Sequence, residues 1–278
     1  MIGVVDVGGG ERGAYGAGVL DTCMERDVHF DYCVGVSAGA ANLSSYLAGQ
    51  VGRNFAFYTN YSFRPQYMGA GLALKTREYA DLDYIYGTLS NADGEYPLDY
   101  PAMVASDKQF VIVATDSKTA LPVYFTMDDM AQDDYAPVKA SSALPLVNKP
   151  YPVNGLPCFD GGLSDPIPVR KAFEAGCDKV VVILTRPRDQ YRTSERDRQF
   201  ARLIAPSYPR IAEALCNRAG LYNLQLDVAK KYEREGKAII VAPDSIGEMK
   251  TLTKDRAAIE NLYAKGLRDA CAIEEFLG

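Results

Sequence analysis

Gly35-Val36-Ser37-Ala38-Gly39 follows an apolar run at residues 32–36 and precedes an Ala-rich stretch at residues 38–48. Strand, then Gly-x-Ser-x-Gly, then helix is the order of a nucleophile elbow, a sharp turn that lifts a serine hydroxyl above the edge of a sheet. In so tight a turn, side chains at Gly35 or Gly39 would meet neighbouring backbone. Ser37 is therefore the candidate nucleophile. The chain has one histidine, His29, so a Ser-His-Asp arrangement has only one imidazole to draw on.

Working outward, residues 2–7 read as the first strand, residues 14–26 as a helix and residues 32–36 as a short buried strand. Further strands are expected at 110–115, 121–127, 179–184 and 238–241. Helices are expected at 167–175, 194–203, 208–234 and 252–276, the third of these with a break. Strands alternating with helices predict an α/β fold with a mostly parallel sheet, in one domain spanning residues 1–278. Residues 54–100 stand apart. They are rich in tyrosine and include Phe55, Phe57 and Phe63. Such an insertion reads either as a cap lining an acyl pocket or as ordinary peripheral helices.

Gly8-Gly9-Gly10-Glu11-Arg12-Gly13 lies between the first strand and its helix. The spacing also fits a dinucleotide fingerprint, but a Rossmann fold needs an acid at the end of the second strand, and Asp31 lies at its start. Consecutive parallel strands send this loop and Ser37 to the same sheet edge. Free N–H groups there suit an oxyanion formed when Ser37 attacks a carbonyl. Arg12 either steadies that loop or is a solvated surface residue. His29 precedes the strand that Ser37 follows, so the two fall at opposite strand ends, ~25 Å apart at ~3.3 Å per residue. The better base is Asp160 in Phe159-Asp160-Gly161-Gly162, where two glycines permit close backbone approach and burial would bring a carboxyl nearer neutrality.

Four motifs, residues 8–13, residues 35–39, Ala140-Ser141-Ser142-Ala143-Leu144-Pro145 and Asp160-Gly161-Gly162, occur in the order and rough spacing of the patatin-like phospholipases. Over residues 2–185 the chain resembles that family. The resemblance implies a three-layer α/β/α fold and a Ser37–Asp160 dyad without histidine. It implies an oxyanion hole in the Gly8–Gly13 loop (Gly8, Gly9, Gly10, Glu11, Arg12, Gly13), with Gly35, Gly39, Gly161 and Gly162 shaping the elbow and the dyad motif. The implied substrates are phospholipids, galactolipids or simpler acyl esters, with transient membrane contact and no cofactor or metal. A lipid-binding or regulatory member with weak hydrolysis is the alternative. Two departures stand out within this span: Ser164-Asp165-Pro166 follows the Asp-Gly-Gly where many relatives have Asn before proline, and Glu11 lies beside the oxyanion loop, where relatives often have a small residue. Pointing inward, its negative charge would oppose oxyanion stabilisation, so Glu11 is expected to point outward. The last ~90 residues fall outside the motifs.

Bulk properties agree. A formal net charge of −6 argues against a nucleic-acid binder. The six cysteines contain no C-x-x-C pair and, with one histidine, offer no usual zinc site, so they read as reduced thiols. Met1-Ile2-Gly3-Val4-Val5 runs straight into a strand without a basic leader, and no apolar run nears the ~20 residues that span a bilayer, so a soluble cytoplasmic protein is expected. The arginines between residues 186 and 202 read as an ion-paired helix face, with a headgroup-binding face as the alternative. Residues 254–275 read as an amphipathic helix docked on the core.

Overall fold

The computed structural model describes residues 1–278. Eight strands form one sheet: β1 (Ile2–Asp6), β2 (Tyr32–Val36), β3 (Gln109–Asp116), β4 (Pro122–Thr126), β5 (Tyr151–Val153), β6 (Leu156–Asp160), β7 (Lys179–Ile183) and β8 (Ala238–Val241). Their order is β5-β6-β3-β2-β1-β7-β8, and β4 also pairs with β3. The run β3-β2-β1-β7-β8 is parallel throughout, while β4, β5 and β6 are antiparallel to their neighbours. Both faces of the parallel strands are buried, so their sequences read as apolar runs. Successive residues still divide between the faces. Val4, Cys33, Ile112 and Val181 enter one core, whereas Val5, Val34, Val113 and Val182 enter the other.

Eleven α-helices complete the chain: α1 (Ala14–Glu25), α2 (Ala38–Leu47), α3 (Arg53–Thr59), α4 (Ala70–Thr76), α5 (Tyr100–Ala105), α6 (Ala136–Ser142), α7 (Val169–Glu174), α8 (Glu195–Ile204), α9 (Pro209–Arg234), α10 (Arg256–Asp269) and α11 (Cys271–Leu277). Side chains from α1, α2, α6, α10 and α11 fill the first core, and those from α7 and α9 fill the second. The expected α/β/α layering is present.

Some expected boundaries move for physical reasons. Residues 208–234 form one unbroken helix beginning at Pro209, where proline's missing N–H costs nothing. The expected helix from residue 167 begins only at Val169, because two prolines precede it. The long C-terminal helix divides at Ala270 into α10 and α11. α10 docks closely on α1: a Cβ on Gly18 would lie 2.2 Å from the Tyr263 carbonyl oxygen. Tyr15 and Tyr263 each donate a 2.7 Å hydrogen bond across this contact, to Asp269 and Asp21. No helix is long and apolar enough to cross a membrane.

Candidate active site

Ser37 follows the last residue of β2 with φ 58° and ψ −133°, a conformation costly for a non-glycine residue. The turn is held by close backbone approach. A Cβ at Gly39 would lie 2.2 Å from the Asp6 carbonyl oxygen, and one at Gly35 would lie 2.5 Å from Ala40 Cα. Ser37 N–H donates to Ser141 Oγ at 2.7 Å, and the Ser141 hydroxyl donates to the Val113 carbonyl at 2.6 Å. Ser141 thus ties the elbow to β3 through α6. Its run, residues 140–145, is visible in the sequence, but its part in holding the elbow is not.

Asp160 arrives from the opposite direction. Val36 pairs with Val113, and Asp160 pairs with Ala114, the next residue along β3. Both pairings use the edge of β3 away from β4, so the end of β2 and the end of β6 abut. Two residues 123 positions apart in sequence (160 − 37) meet there. Asp160 is 3% exposed. Its Oδ1 accepts from Gly162 N–H at 2.7 Å, while Oδ2 is buried with no aligned hydrogen bond. Burial raises its pKa above the usual carboxylate range, and the facing Ser37 hydroxyl, Gly162 N–H, Arg218 and Arg192 counteract part of that rise. Gly161 lies against the β3 backbone, with the Val113 carbonyl oxygen 2.2 Å from where a Cβ would stand. An alcohol facing a buried carboxyl of raised pKa can lose its proton to it. Such contacts commonly tighten only when substrate is bound.

The glycine loop is fixed at both ends. Gly8 N–H donates to Asp6 Oδ1 at 2.9 Å, and Asp6 Oδ2 accepts from Asn42 Nδ2 at 2.9 Å. Asn42 Nδ2 also donates to the Gly13 carbonyl at 2.9 Å. Asp6 is fully buried, which pushes its pKa up to about 6. Sequence reasoning missed Asp6 and Asn42; an acid two residues before a triple glycine is the signal that marks the first. On the far side, Glu11 N–H donates to the Thr251 carbonyl at 2.8 Å. The amides of Gly9 and Gly10 donate to no backbone or side-chain acceptor, so they are the loop's free donors.

Glu11 corrects an expectation. It does not point out to solvent but is 4% exposed, with Oε2 unpartnered. Burial, partly offset by Lys254, pushes its carboxyl up to about 8. At neutral pH it is mostly protonated and brings no full negative charge to the loop. Its folded pKa exceeds the unfolded value, so its stability contribution is full below about 4.5 and is lost as pH rises through about 8. Glu11→Gln is expected to raise Tm by about 5–10 °C at pH 9 and to change it little at pH 5. Thermal melts at the two pH values check this.

Arg12 is not a solvated residue either. It is 4% exposed, with Nε unpartnered and Nη1 donating to Thr251 Oγ1 at 3.3 Å. His29 lies outside the site, with its side chain 65% exposed and 3.0 Å from Asp27 at the other end of β2. Asp165, the departure after the Asp-Gly-Gly, accepts from Tyr124 OH at 2.7 Å and from Gln225 Nε2 at 2.6 Å, which anchors α9 behind the site.

Two cavities open on Ser37. One is apolar, about 90 Å³, and its wall includes Phe57, Tyr67, Met68, Ile85 and Tyr86. These side chains come from the aromatic segment at residues 54–100, of which Phe57, Tyr67, Met68 and Ile85 cluster with Tyr61, Ala80 and Leu89, while Tyr58 and Leu98 enter the first core. The other cavity is polar, about 80 Å³, and reaches Asp160, Gly9 and four arginines.

The family model for patatin-like phospholipases matches residues 7–173. The chain belongs to the patatin-like phospholipase family. Membership supports lipid acyl hydrolysis as the general class of reaction. The match covers the elbow, the glycine loop and Asp160, and ends within α7. A second model, described as a domain of unknown function (DUF6363), matches residues 208–277, which includes α9, β8 and α10. The Escherichia coli (strain K12) "uncharacterized protein YjjU" is 30% identical over 211 residues, 74% of this chain and 58% of that relative. The chain thus aligns with little more than half the relative's length. VipD from Legionella pneumophila, a solved structure, superposes with a TM-score of 0.48 at 15% identity, over 97% of this chain and 66% of VipD.

Proposed function

We propose that this patatin-like phospholipase family member is a serine lipid acyl hydrolase in which Ser37 is the nucleophile and Asp160 its general base. Asp160 takes the hydroxyl proton as Ser37 Oγ attacks the ester carbonyl carbon. The carbonyl oxygen gains the negative charge and is held by the N–H groups of Gly9 and Gly10. Collapse of the tetrahedral intermediate breaks the bond to the alcohol oxygen, which leaves with the proton from Asp160. Water then attacks the acyl-enzyme, gives its proton to Asp160, and releases the carboxylic acid while Ser37 recovers its proton. The apolar cavity takes the acyl chain. Residues 1–278 act as one unit, with the segment beyond residue 173 supplying β7, the edge strand β8 and part of the site wall.

The observation that carries this reading is the abutment of β2 and β6 on one edge of β3, which sets an alcohol on a strained turn against a buried carboxyl of raised pKa. Hydrolysis of p-nitrophenyl esters of increasing chain length tests it, with kcat/KM expected to rise with chain length as the apolar cavity fills. His29→Ala is expected to keep kcat/KM within about twofold of the parent, as a surface change remote from the site should. A loss above tenfold would restore the imidazole to the mechanism.

A further inference from the structure

The polar cavity beside Ser37 has a charge balance that hydrolysis of a neutral ester does not need. Arg12, Arg186, Arg192 and Arg218 all line it. Two carboxylates answer them: Asp160, which lines the cavity with them, and Asp197. Asp197 takes two hydrogen bonds from Arg218, at 3.0 and 2.5 Å, and lies 3.8 Å from Arg192 Nη2. Arg186 pairs with no carboxylate, and Arg12 keeps a buried Nε without a partner. The arginines are near enough to disfavour one another's charge. Burial and then the neighbouring guanidinium groups bring Arg12 down to about 9, and Arg192 is brought down to about 10 in the same way. A chain of net charge −6 has gathered four cations beside Ser37.

The sequence expectation of an ion-paired helix face is thereby divided. Arg188 pairs with Glu233, and Arg196 lies over the Phe200 ring, 4 residues along α8. Arg186 and Arg192 instead turn inward and meet Arg218 from α9, a residue that the sequence did not single out. Arg186, Arg192 and Arg218 all lie beyond the span matched to the patatin-like phospholipases. The same three also line a larger groove of about 730 Å³ that opens from this cavity and adds Arg196 and Lys250 to its wall. Ser37 therefore stands between an apolar cavity on one side and a cationic one on the other.

We propose that Arg186, Arg192 and Arg218, with Arg12 as the floor, form a phosphate subsite that holds the alcohol half of the substrate, so that the preferred ester carries a phosphomonoester in preference to a zwitterionic or uncharged group. The proposal rests on the hydrolase reading above and specifies its substrate class. Four guanidinium groups against the carboxylates of Asp160 and Asp197 leave about two positive charges for the ligand (4 − 2). A phosphomonoester near neutral pH brings between one and two negative charges and oxygens that match guanidinium forks. A phosphocholine group brings no net charge, and burying it here would leave the arginines uncompensated. The phosphate oxygens bind without P–O cleavage; only the acyl C–O bond breaks.

The test compares three lysolipids of one acyl chain: an acylglycerol phosphate, an acylglycerophosphocholine and an acylglycerol. Wild type is expected to favour the first over the third by about 10- to 100-fold in kcat/KM, mainly through KM, the range expected for losing charge-assisted hydrogen bonds. Arg186→Gln and Arg192→Gln should each collapse that ratio about tenfold or more, and Arg186→Lys should restore part of it. Equal use of the three lipids, or a ratio untouched by both glutamine variants, would overturn the proposal. Inorganic phosphate and glycerol 3-phosphate form a second arm. Binding of either as tight as that of the acylglycerol phosphate would make the site one for a free anion and overturn the headgroup assignment. The Ser37→Ala variant separates the two readings. If it binds the phosphorylated lysolipid selectively by calorimetry while wild type turns over no ester, the subsite stands and the hydrolase reading fails.

Discussion

Ser37→Ala is expected to lower kcat/KM for any ester that the protein cleaves by about 10⁴- to 10⁶-fold, the range seen when a catalytic serine is lost. The proposed chemistry passes through one oxygen atom. Without it no acyl-enzyme forms, and only water held near the Gly9 and Gly10 amides remains as a nucleophile. The fold should survive. Ser37 N–H, not its hydroxyl, makes the elbow's hydrogen bond to Ser141, and alanine keeps that donor. The variant's circular dichroism and melting should match wild type to within a few degrees. Wild-type turnover retained in a folded Ser37→Ala protein would remove Ser37 from the mechanism.

Asp160→Asn is expected to cost about 10³- to 10⁴-fold in kcat, because an amide of nearly the same shape cannot accept the serine proton. Asparagine can still take the Gly162 N–H, so the turn after β6 persists. The pH profile gives this prediction a direction. The base works only when ionised, and burial holds Asp160 above the usual carboxylate range. Wild-type kcat/KM should therefore rise with pH through a midpoint above that of a free aspartate and then level off. The residual activity of Asp160→Asn should lack that rising limb. A variant that stays fast and keeps the limb would show that another group is the base.

How much of this is legible in the sequence depends on the range over which each feature is determined. The elbow is local. Gly35 and Gly39 are required by backbone contacts within one turn and its neighbouring strand, so five residues suffice to mark Ser37. The buried parallel strands are legible for the same reason, as short apolar runs. By contrast, β5 and β6 each carry a proline that argues against a strand, and only the pairing of β6 with β3 and of β5 with β6 makes them so. Asp160 was found through its glycines, but its meeting with Ser37 is fixed by register on β3. Glu11 read as outward because a negative charge pointing inward would oppose the oxyanion; the fold buries it and raises its pKa, which no local pattern signals. The arginines read as a surface face because Arg218 lies on a different helix, 26 residues from Arg192 (218 − 192), and only tertiary structure brings them to one cavity.

The central claim is that a carboxyl, unaided by imidazole, activates the hydroxyl of Ser37. A fluorophosphonate probe reads that activation whatever the natural substrate, because only an activated hydroxyl displaces its leaving group quickly. Intact-mass and peptide analysis of wild type should find one adduct, on Ser37, formed at least about 10³-fold faster than in Asp160→Asn and undiminished in His29→Ala. An adduct on another residue, no adduct at all, or equal labelling rates with and without the Asp160 carboxylate would contradict the account.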